Sequence, residues 1–111
     1  MTTITRGREV LTFINVFTTE PANQARVVEL LKQATSGHVE SASGFISAAL
    51  HRSLDGTKIT MYAQWRSMAD YQAMRGDPGP LPYFQEALSL AKFEPGSYEV
   101  VETFEGPQSV I

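Results

Sequence analysis

The order of strand-like and helix-like segments predicts an α+β domain of the ferredoxin-like type, βαββαβ, with a four-stranded antiparallel sheet. Segments rich in β-branched and aromatic residues alternate with segments whose apolar residues recur at helical spacing. The two middle strand-like segments are joined by an Asp-Gly turn, which favours antiparallel neighbours. With 111 residues, the chain is long enough for one domain. We therefore expect a single sheet with helices on one face.

The first part of the chain predicts one strand followed by one helix. Residues 10–17 are dense in β-branched and aromatic side chains, which suit a pleated, buried surface. Residues 18–21 combine capping hydroxyls, an acid and a proline, so a helix is expected to begin there. Gly37 and Gly44 bracket its end. The apolar face of this helix is predicted to hold Val27, Leu30, Leu31, Ala34 and His38.

The second part predicts two antiparallel strands, a helix in two pieces and a last strand. The two strands are residues 45–52 and 58–65, and Ser67 is placed to cap the next helix. The Gly- and Pro-rich segment 76–80 ends that helix. A third helical piece is expected over residues 83–91, and a strand over residues 97–104. The domain is thus predicted to cover residues 9–104, with tails at residues 1–8 and 105–111.

Both faces of the first strand are apolar. An antiparallel sheet with helices on one face normally shows polar residues on the other, so something else must cover the second face. The chain has no spare segment to do so, and we therefore expect a homodimer in which two sheets pack face to face. The alternative is that the first strand is apolar because it is central. The apolar residues on one face of the first strand are Val10, Ile14 and Val16. Those on the other face are Leu11, Phe13 and Phe17.

Composition excludes several classes of function. The chain has no cysteine, which removes disulfides, thiolate metal sites and thiol nucleophiles, and its two histidines are far apart in sequence. We expect no metal site. A net charge of −3 with scattered basic residues argues against nucleic-acid binding. No apolar run is long enough for a signal peptide or a membrane span, so a cytoplasmic protein without membrane contact is expected.

An apolar pocket for a small aromatic ligand is predicted between the sheet and the helices. In the strand 58–65, alternate residues place Met61 and Trp65 on the more apolar face, close to the next helix with Tyr71. Phe84 is expected to complete the lining. Rings with a few polar tips suit a small aromatic molecule. The alternative is that these four side chains are ordinary core residues.

Two polar residues are candidates for catalysis. Asn15 interrupts an apolar strand between Phe13 and Phe17, where an unpaired buried amide costs about 1–3 kcal/mol. It must therefore have a partner, which could be a ligand, a water or a backbone group. His51 lies near the end of a strand and is the better candidate base of the two histidines, since imidazole titrates near neutral pH. The alternative for each histidine, and the one that a lone histidine favours, is a neutral core or rim residue.

The segment 53–65, which ends in Gln64-Trp65 and is followed by Ser67 and Tyr71, resembles the antibiotic biosynthesis monooxygenase family of the dimeric α+β barrel superfamily. The resemblance covers roughly residues 9–104 and implies a homodimer with one pocket in each subunit. It also implies oxidation of aromatic polyketide intermediates with O₂, without flavin, haem or metal. Trp65 and Tyr71 match pocket residues of the family. Met61 and Leu50, however, replace an asparagine and a tyrosine of its cofactor-free members.

The leading prediction is a small monooxygenase, acting without a cofactor on an electron-rich aromatic or polyketide-like molecule. Trp65 and Tyr71 hold the ring in this prediction, Asn15 bonds a substrate oxygen, and His51 accepts a proton. The alternatives are a non-catalytic dimeric binding protein, or a cyclase or isomerase with the same pocket. A haem-degrading branch of the superfamily is a further alternative, since Asn15 and Trp65 fit it, but the later helix lacks the histidine that would ligate iron.

Overall fold

The protein, described by a computed structural model over residues 7–107 with side chains from Val10 onward, has the predicted α+β fold. All strand pairs are antiparallel, and the sheet order β2-β3-β1-β4 is that of a ferredoxin-like domain. The strands are β1 (Gly7–Thr19), β2 (Phe45–Arg52), β3 (Lys58–Trp65), β4 (Ala91–Glu94) and β5 (Ser97–Val100). The α-helices are α1 (Gln24–Gly37), α2 (Met68–Arg75) and α3 (Leu81–Leu90).

The central strand β1 divides its side chains between two faces of the sheet, as the alternation predicts. We call the face under the helices the inner face and the opposite face the outer face. Phe13 and Phe17 lie on the inner face and are buried, whereas Ile14 and Val16 lie on the outer face and are half-buried. Both sets are apolar, so β1 is built to be covered on both sides.

The helices are held on the inner face by two groups of buried side chains. One group joins β1 and β3 to α1 and α3 through residues such as Phe17, Leu31 and Ala87. The other joins the sheet to α2 through residues such as Trp65 and Met74. A gap between the two groups forms the cavity described below. The four residues predicted for the buried face of α1, Val27, Leu30, Leu31 and Ala34, are all buried.

Three local features fix the strands and the helix beside the cavity. The β2–β3 turn contains Gly56 at φ +84°, in the left-handed region that glycine tolerates. The hydroxyl of Ser67 accepts a hydrogen bond from the Asp70 amide at 3.1 Å and caps α2, as predicted. Gly44 also has φ +84°, and a Cβ there would overlap the Asp70 side chain. The first turn of α2 therefore packs closely against Gly44, the residue before β2.

The last strand predicted over residues 97–104 forms only over Ser97–Val100, as β5, and a further short strand, β4, was not predicted. The edge of β1 is instead paired by two short strands, β4 against residues 16–19 and β5 against residues 7–13. Pro95 separates them because proline has no amide hydrogen for the ladder, and pairing resumes where Ile14 N donates to Gly96 O at 2.9 Å. Residues 101–104 lie outside any strand. The helix expected to run to Ala91 ends at Leu90, where β4 begins.

The first helix also begins later than predicted. A 3₁₀ turn over Pro21–Asn23 precedes α1, and no threonine hydroxyl caps either element. Thr19 instead ends β1, and its hydroxyl donates to Leu90 O at 2.6 Å, joining β1 to the end of α3. Helix-capping residues can serve tertiary contacts equally well, which is why the pattern misplaced the start.

The predicted domain limits at residues 9 and 104 stay predictions, and β1 begins two residues before the first of them. Much of the predicted tails, residues 1–6 and 108–111, lies outside the described residues. Within residues 7–107, no helix has both the length and the apolar character needed to cross a bilayer.

Candidate active site

A cavity of about 180 Å³ lies between the inner face of the sheet and the three α-helices. It has space for about six water molecules, taking about 30 Å³ for each. Its wall is mostly apolar, with aromatic rings from the strands and helices and a few polar side chains. Five of the six predicted site residues line it: Asn15, Met61, Trp65, Tyr71 and Phe84.

The aromatic wall is centred on Trp65, the last residue of β3. Trp65 is 1% exposed and makes edge-on contacts with Phe45 and Tyr71, at ring-centre distances of 5.3 and 5.8 Å. Tyr71 of α2 stacks on Phe13 of β1, with ring centres 3.9 Å apart. These contacts fix four rings against one another. A flat aromatic ligand would find preformed surfaces at this end of the cavity.

Asn15 supplies a polar group in the apolar wall. It pairs with Met61 across β1 and β3, so both side chains lie on the inner face. The Asn15 Oδ1 atom is buried and has no hydrogen-bond partner within the described residues. Such an atom costs free energy unless another group donates to it. The sequence predicts that Asn15 needs a hydrogen-bond partner, and no described residue supplies one to Oδ1. Asn15 also lines the cavity.

Met61 and Phe84 join the aromatic wall to the rest of the core. Met61 is half-buried on β3, and its thioether can adapt to different ring shapes. Phe84 of α3 packs against both groups of buried side chains. It therefore lies between the two halves of the core, next to the cavity.

His51 does not join the other predicted site residues. It is exposed, pairs with Thr60 on the outer face, and places Nδ1 at 3.3 Å from Thr60 O. The cause is a bulge in β2 between Phe45 and Ser47, which moves every later residue of the strand to the opposite face. Within one chain, His51 therefore lies on the face opposite the cavity, and its predicted role as a base there stays a prediction that this placement does not support.

Two charged residues that the site prediction omitted lie at the open side of the cavity. Arg75 ends α2, and its Nη1 donates to the Tyr71 hydroxyl at 3.1 Å. Asp77 follows in the loop, where its Oδ1 accepts from Gly79 N at 2.9 Å. Arg75 stands four residues after Tyr71, the helical spacing that brings side chains together, so the sequence carried a signal for it.

An ion pair outside the cavity stabilises the start of α2. Arg66 Nε lies 2.9 Å from Asp70 Oδ2 in an i,i+4 pair. The hydrogen bond from Arg66, followed by that from Ser67, lowers the pKa of the Asp70 carboxyl. Asp70 in turn raises the pKa of Arg66.

Among the side chains that the structure describes, no three His, Asp or Glu residues gather where they could hold a metal ion.

The family model described as "Antibiotic biosynthesis monooxygenase" matches residues 11–89. Tetracenomycin-F1 monooxygenase of Streptomyces glaucescens is 38% identical over 104 residues, covering 94% of this chain and 93% of that protein. This likeness extends over nearly the whole of both chains. The sequence similarity therefore covers nearly all of the residues that form the fold.

Solved structures give the same result. A monooxygenase from the gene ActVA-Orf6 of Streptomyces coelicolor, solved with nanaomycin D, is 26% identical with a TM-score of 0.75, covering 86% of this chain and 91% of the other. SnoaB, a cofactor-independent oxygenase from Streptomyces nogalater, has the same fold at 23% identity and a TM-score of 0.74, covering 91% of this chain and 100% of the other. The predictions of family, fold class and monooxygenase type are confirmed, and the chain belongs to the antibiotic biosynthesis monooxygenase family.

Proposed function

We propose that the protein is a cofactor-independent monooxygenase that oxidises an electron-rich, polyketide-like aromatic molecule with O₂. The observation that carries the proposal is the unpartnered Asn15 Oδ1 in the wall of an aromatic cavity. This atom accepts hydrogen bonds, so it suits a ligand with a hydroxyl group on a ring. The related oxygenases from Streptomyces support this class of substrate.

The chemistry is written for a ring methylene beside a phenolic ring, as in an anthrone. One oxygen atom of O₂ becomes a new carbonyl on that carbon, and the two hydrogens leave with the other oxygen atom as water. Four electrons pass from the carbon to O₂, so no external reductant is needed. The substrate supplies the electrons, and the protein supplies position and a dry environment.

The cavity residues have distinct roles in this proposal. Trp65 and Tyr71 hold the ring plane, and Asn15 accepts a hydrogen bond from a ring hydroxyl. Met61 and Phe84 form the remaining apolar contacts. Binding in this pocket removes water from the ring and orients the reacting carbon, which are the two contributions that a protein without a cofactor can make.

Oxygen uptake with an anthrone as substrate tests the proposal. We expect uptake above the spontaneous rate, and a loss of kcat/KM of about 10–100-fold in Asn15→Ala, since one hydrogen bond to a buried polar group is worth about 1–3 kcal/mol. Trp65→Phe should also lose activity. Asn23→Ala, which removes an amide outside the cavity, is the matched control. Unchanged rates in both cavity variants would show that these residues are assigned wrongly.

The same experiment separates the alternatives. A binding protein, cyclase or isomerase with this cavity would bind the anthrone without consuming oxygen. For the haem-degrading alternative, α3 carries no histidine, and the half-buried His38 lies against Tyr83 at a ring-centre distance of 5.9 Å. Nothing in the part of the chain that the structure describes favours any of these alternatives over the oxygenase.

We also propose that the working form is a homodimer that joins two outer faces. The support is the half-buried apolar side chains of β1 on that face, together with exposed Tyr98, Val101 and Phe104 near the end of the described chain. Val101 and Phe104 are 80% and 90% exposed, so they leave apolar surface that a partner could cover. The cytoplasmic location, which is expected because no apolar run suits a signal peptide or a membrane span, stays a prediction.

A further inference from the structure

Asp77 supplies the one carboxylate among the described residues that line the cavity. It lies at the open side, in the loop of residues 76–80 that joins α2 to α3. Its Oδ1 atom accepts a hydrogen bond from Gly79 N at 2.9 Å, whereas Oδ2 has no hydrogen-bond partner within residues 7–107. A carboxylate oxygen without a donor is available to a proton or a hydrogen bond from a ligand.

The loop that carries Asp77 is held in place by its neighbours. Pro80 is fully buried and lines the cavity, and prolines at positions 78 and 80 each restrict the backbone. Gly79 packs closely against the end of α1, where a Cβ on Gly79 would lie 2.7 Å from His38 Nδ1. The carboxylate therefore keeps one position at the cavity edge, as a group that acts on a bound ring must.

The other polar groups of the described cavity wall are poor proton acceptors. They are amides, hydroxyls and a guanidinium, and none of these takes up a proton readily near neutral pH. The Tyr71 hydroxyl in addition already accepts a hydrogen bond from Arg75. His51 lies on the outer face of the sheet. These polar wall residues, apart from Asp77, are Asn15, Thr35, Tyr71, Arg75 and Gln85.

We propose that Asp77 is a catalytic residue that removes a proton from the ring methylene of the substrate. The inference rests on the proposed function and names the proton acceptor of that reaction. The C–H bond breaks, its proton moves to Asp77 Oδ2, and its electron pair passes into the ring system. The anion that forms gives electrons to O₂ more readily than the neutral ring does. Asp77 thus acts as a general base.

The later steps conserve atoms and electrons. O₂ forms a bond to the methylene carbon, and the proton held by Asp77 passes to the outer oxygen, which gives a hydroperoxide. Asp77 then takes the second methylene proton while the C–H electron pair forms the carbonyl and the O–O bond breaks. The hydroxide that leaves takes this proton and becomes water. Asp77 is a carboxylate again, and the ring carbon has given four electrons to O₂.

Hydrogen exchange at the methylene in the absence of O₂ tests the first step alone. In deuterium oxide under nitrogen, each cycle of proton removal and return replaces hydrogen by deuterium, which mass spectrometry counts. Asp77 is exposed, so a proton that it has taken can be replaced from the solvent. We expect the wild-type protein to exchange the methylene hydrogens of the anthrone faster than buffer alone does.

Asp77→Asn keeps an oxygen that accepts from Gly79 N but loses the proton acceptor. It should lower the protein-catalysed exchange, and kcat/KM for oxygen uptake, by at least about 100-fold, the usual size of a general-base contribution. Asp77→Glu should restore part of both rates. Glu40→Gln removes an exposed carboxylate that does not line the cavity and is the matched control.

Ligand affinity separates a catalytic role from a structural one. Trp65 is the single tryptophan of the chain and lies in the cavity wall, so quenching of its fluorescence reports binding of anthraquinone at this site. We expect the affinity of Asp77→Asn for anthraquinone to stay within about twofold of that of the wild-type protein. A loss of affinity as large as the loss of exchange would show that Asp77 shapes the site, and would overturn the inference.

Two further results would overturn the inference: no catalysed exchange by the wild-type protein, or undiminished exchange by Asp77→Asn. The outcome is distinguishable from that of the proposed function because the exchange needs no O₂. If exchange depends on Asp77 but no anthrone consumes oxygen, the oxygenase activity fails while the inference about Asp77 stands. If oxygen is consumed equally by the wild-type protein and Asp77→Asn, the oxygenase activity stands and the inference fails.

Discussion

At the scale of single residues, Asn15 and His51 show what the sequence can and cannot predict about the site. Asn15 was predictable because an amide in an apolar strand must find a partner, and this demand is independent of tertiary detail. His51 was not, because one inserted residue in β2 reverses which face the strand presents after Phe45. Strict alternation from Phe45 would place His51 on the inner face. No residue pattern in the sequence predicts that bulge.

The unpartnered Asn15 Oδ1 predicts a conflict between stability and function. Asn15→Leu removes a buried acceptor without a partner and keeps a similar volume, so we expect it to stabilise the free protein by about 1–3 kcal/mol. Turnover of the anthrone should fall at the same time. Urea unfolding measures the first effect and oxygen uptake the second. The control Asn23→Leu should change stability by no more than about 0.5 kcal/mol. A destabilised Asn15→Leu protein would contradict the account.

At the scale of elements, β2, β3 and the cap of α2 were predictable from local signals, whereas the last strand was not. Residues 45–52 and 58–65 are strands as predicted, because composition and the Asp-Gly turn agree. Pro95 divides the edge that pairs with β1 into β4 and β5, and β4, which was not predicted, alternates over only four residues directly after a helix. So short an alternating segment carries a weaker signal than the β2–β3 pair. Pairing with β1, a tertiary contact, decides its structure.

The β2–β3 turn should be sensitive to acid. Hydrogen bonds from Thr57, then from Ser53, lower the pKa of Asp55 from its ordinary 3.8 to about 2. The carboxylate therefore stabilises the folded state above about pH 4, and this contribution is lost as the pH falls from about 4 to 2. In urea unfolding, Asp55→Asn should be less stable than the wild-type protein at pH 6, and the difference should shrink towards pH 2. The control is Glu40→Gln. A difference that is constant over this range would contradict the assignment.

At the scale of the whole molecule, the two apolar faces of β1 connect the fold to assembly. The inner face makes the core and the cavity with the helices, so the 111-residue chain forms its pocket from its own residues. The outer face is less completely covered, since Ile14 and Val16 are only half-buried there, although Thr12 on the same face is 1% exposed. The sequence predicted this imbalance from alternation alone. It also predicted an apolar pocket between the sheet and the helices, but not the volume of that pocket, which depends on the relative placement of three helices.

Light scattering of the purified protein tests the proposed homodimer. We expect a mass twice that of one chain at micromolar concentration. Ile14→Glu should give a folded monomer, because an unpaired carboxylate would be buried between two sheets. Leu54→Glu places the same charge at a turn residue that is fully exposed and should leave the mass unchanged. A monomeric wild-type protein would exclude face-to-face pairing, whatever the behaviour of the variants.

The central claim is that this cavity carries out oxygenation with the substrate as the source of electrons. The most direct measurement is the reaction of an anthrone under ¹⁸O₂ with protein freed of metals and flavin, followed by mass spectrometry of the product. The account predicts one ¹⁸O atom in each product molecule, formed faster than in buffer and much more slowly with Asn15→Ala. Product without ¹⁸O, or a rate equal to that in buffer, would contradict it.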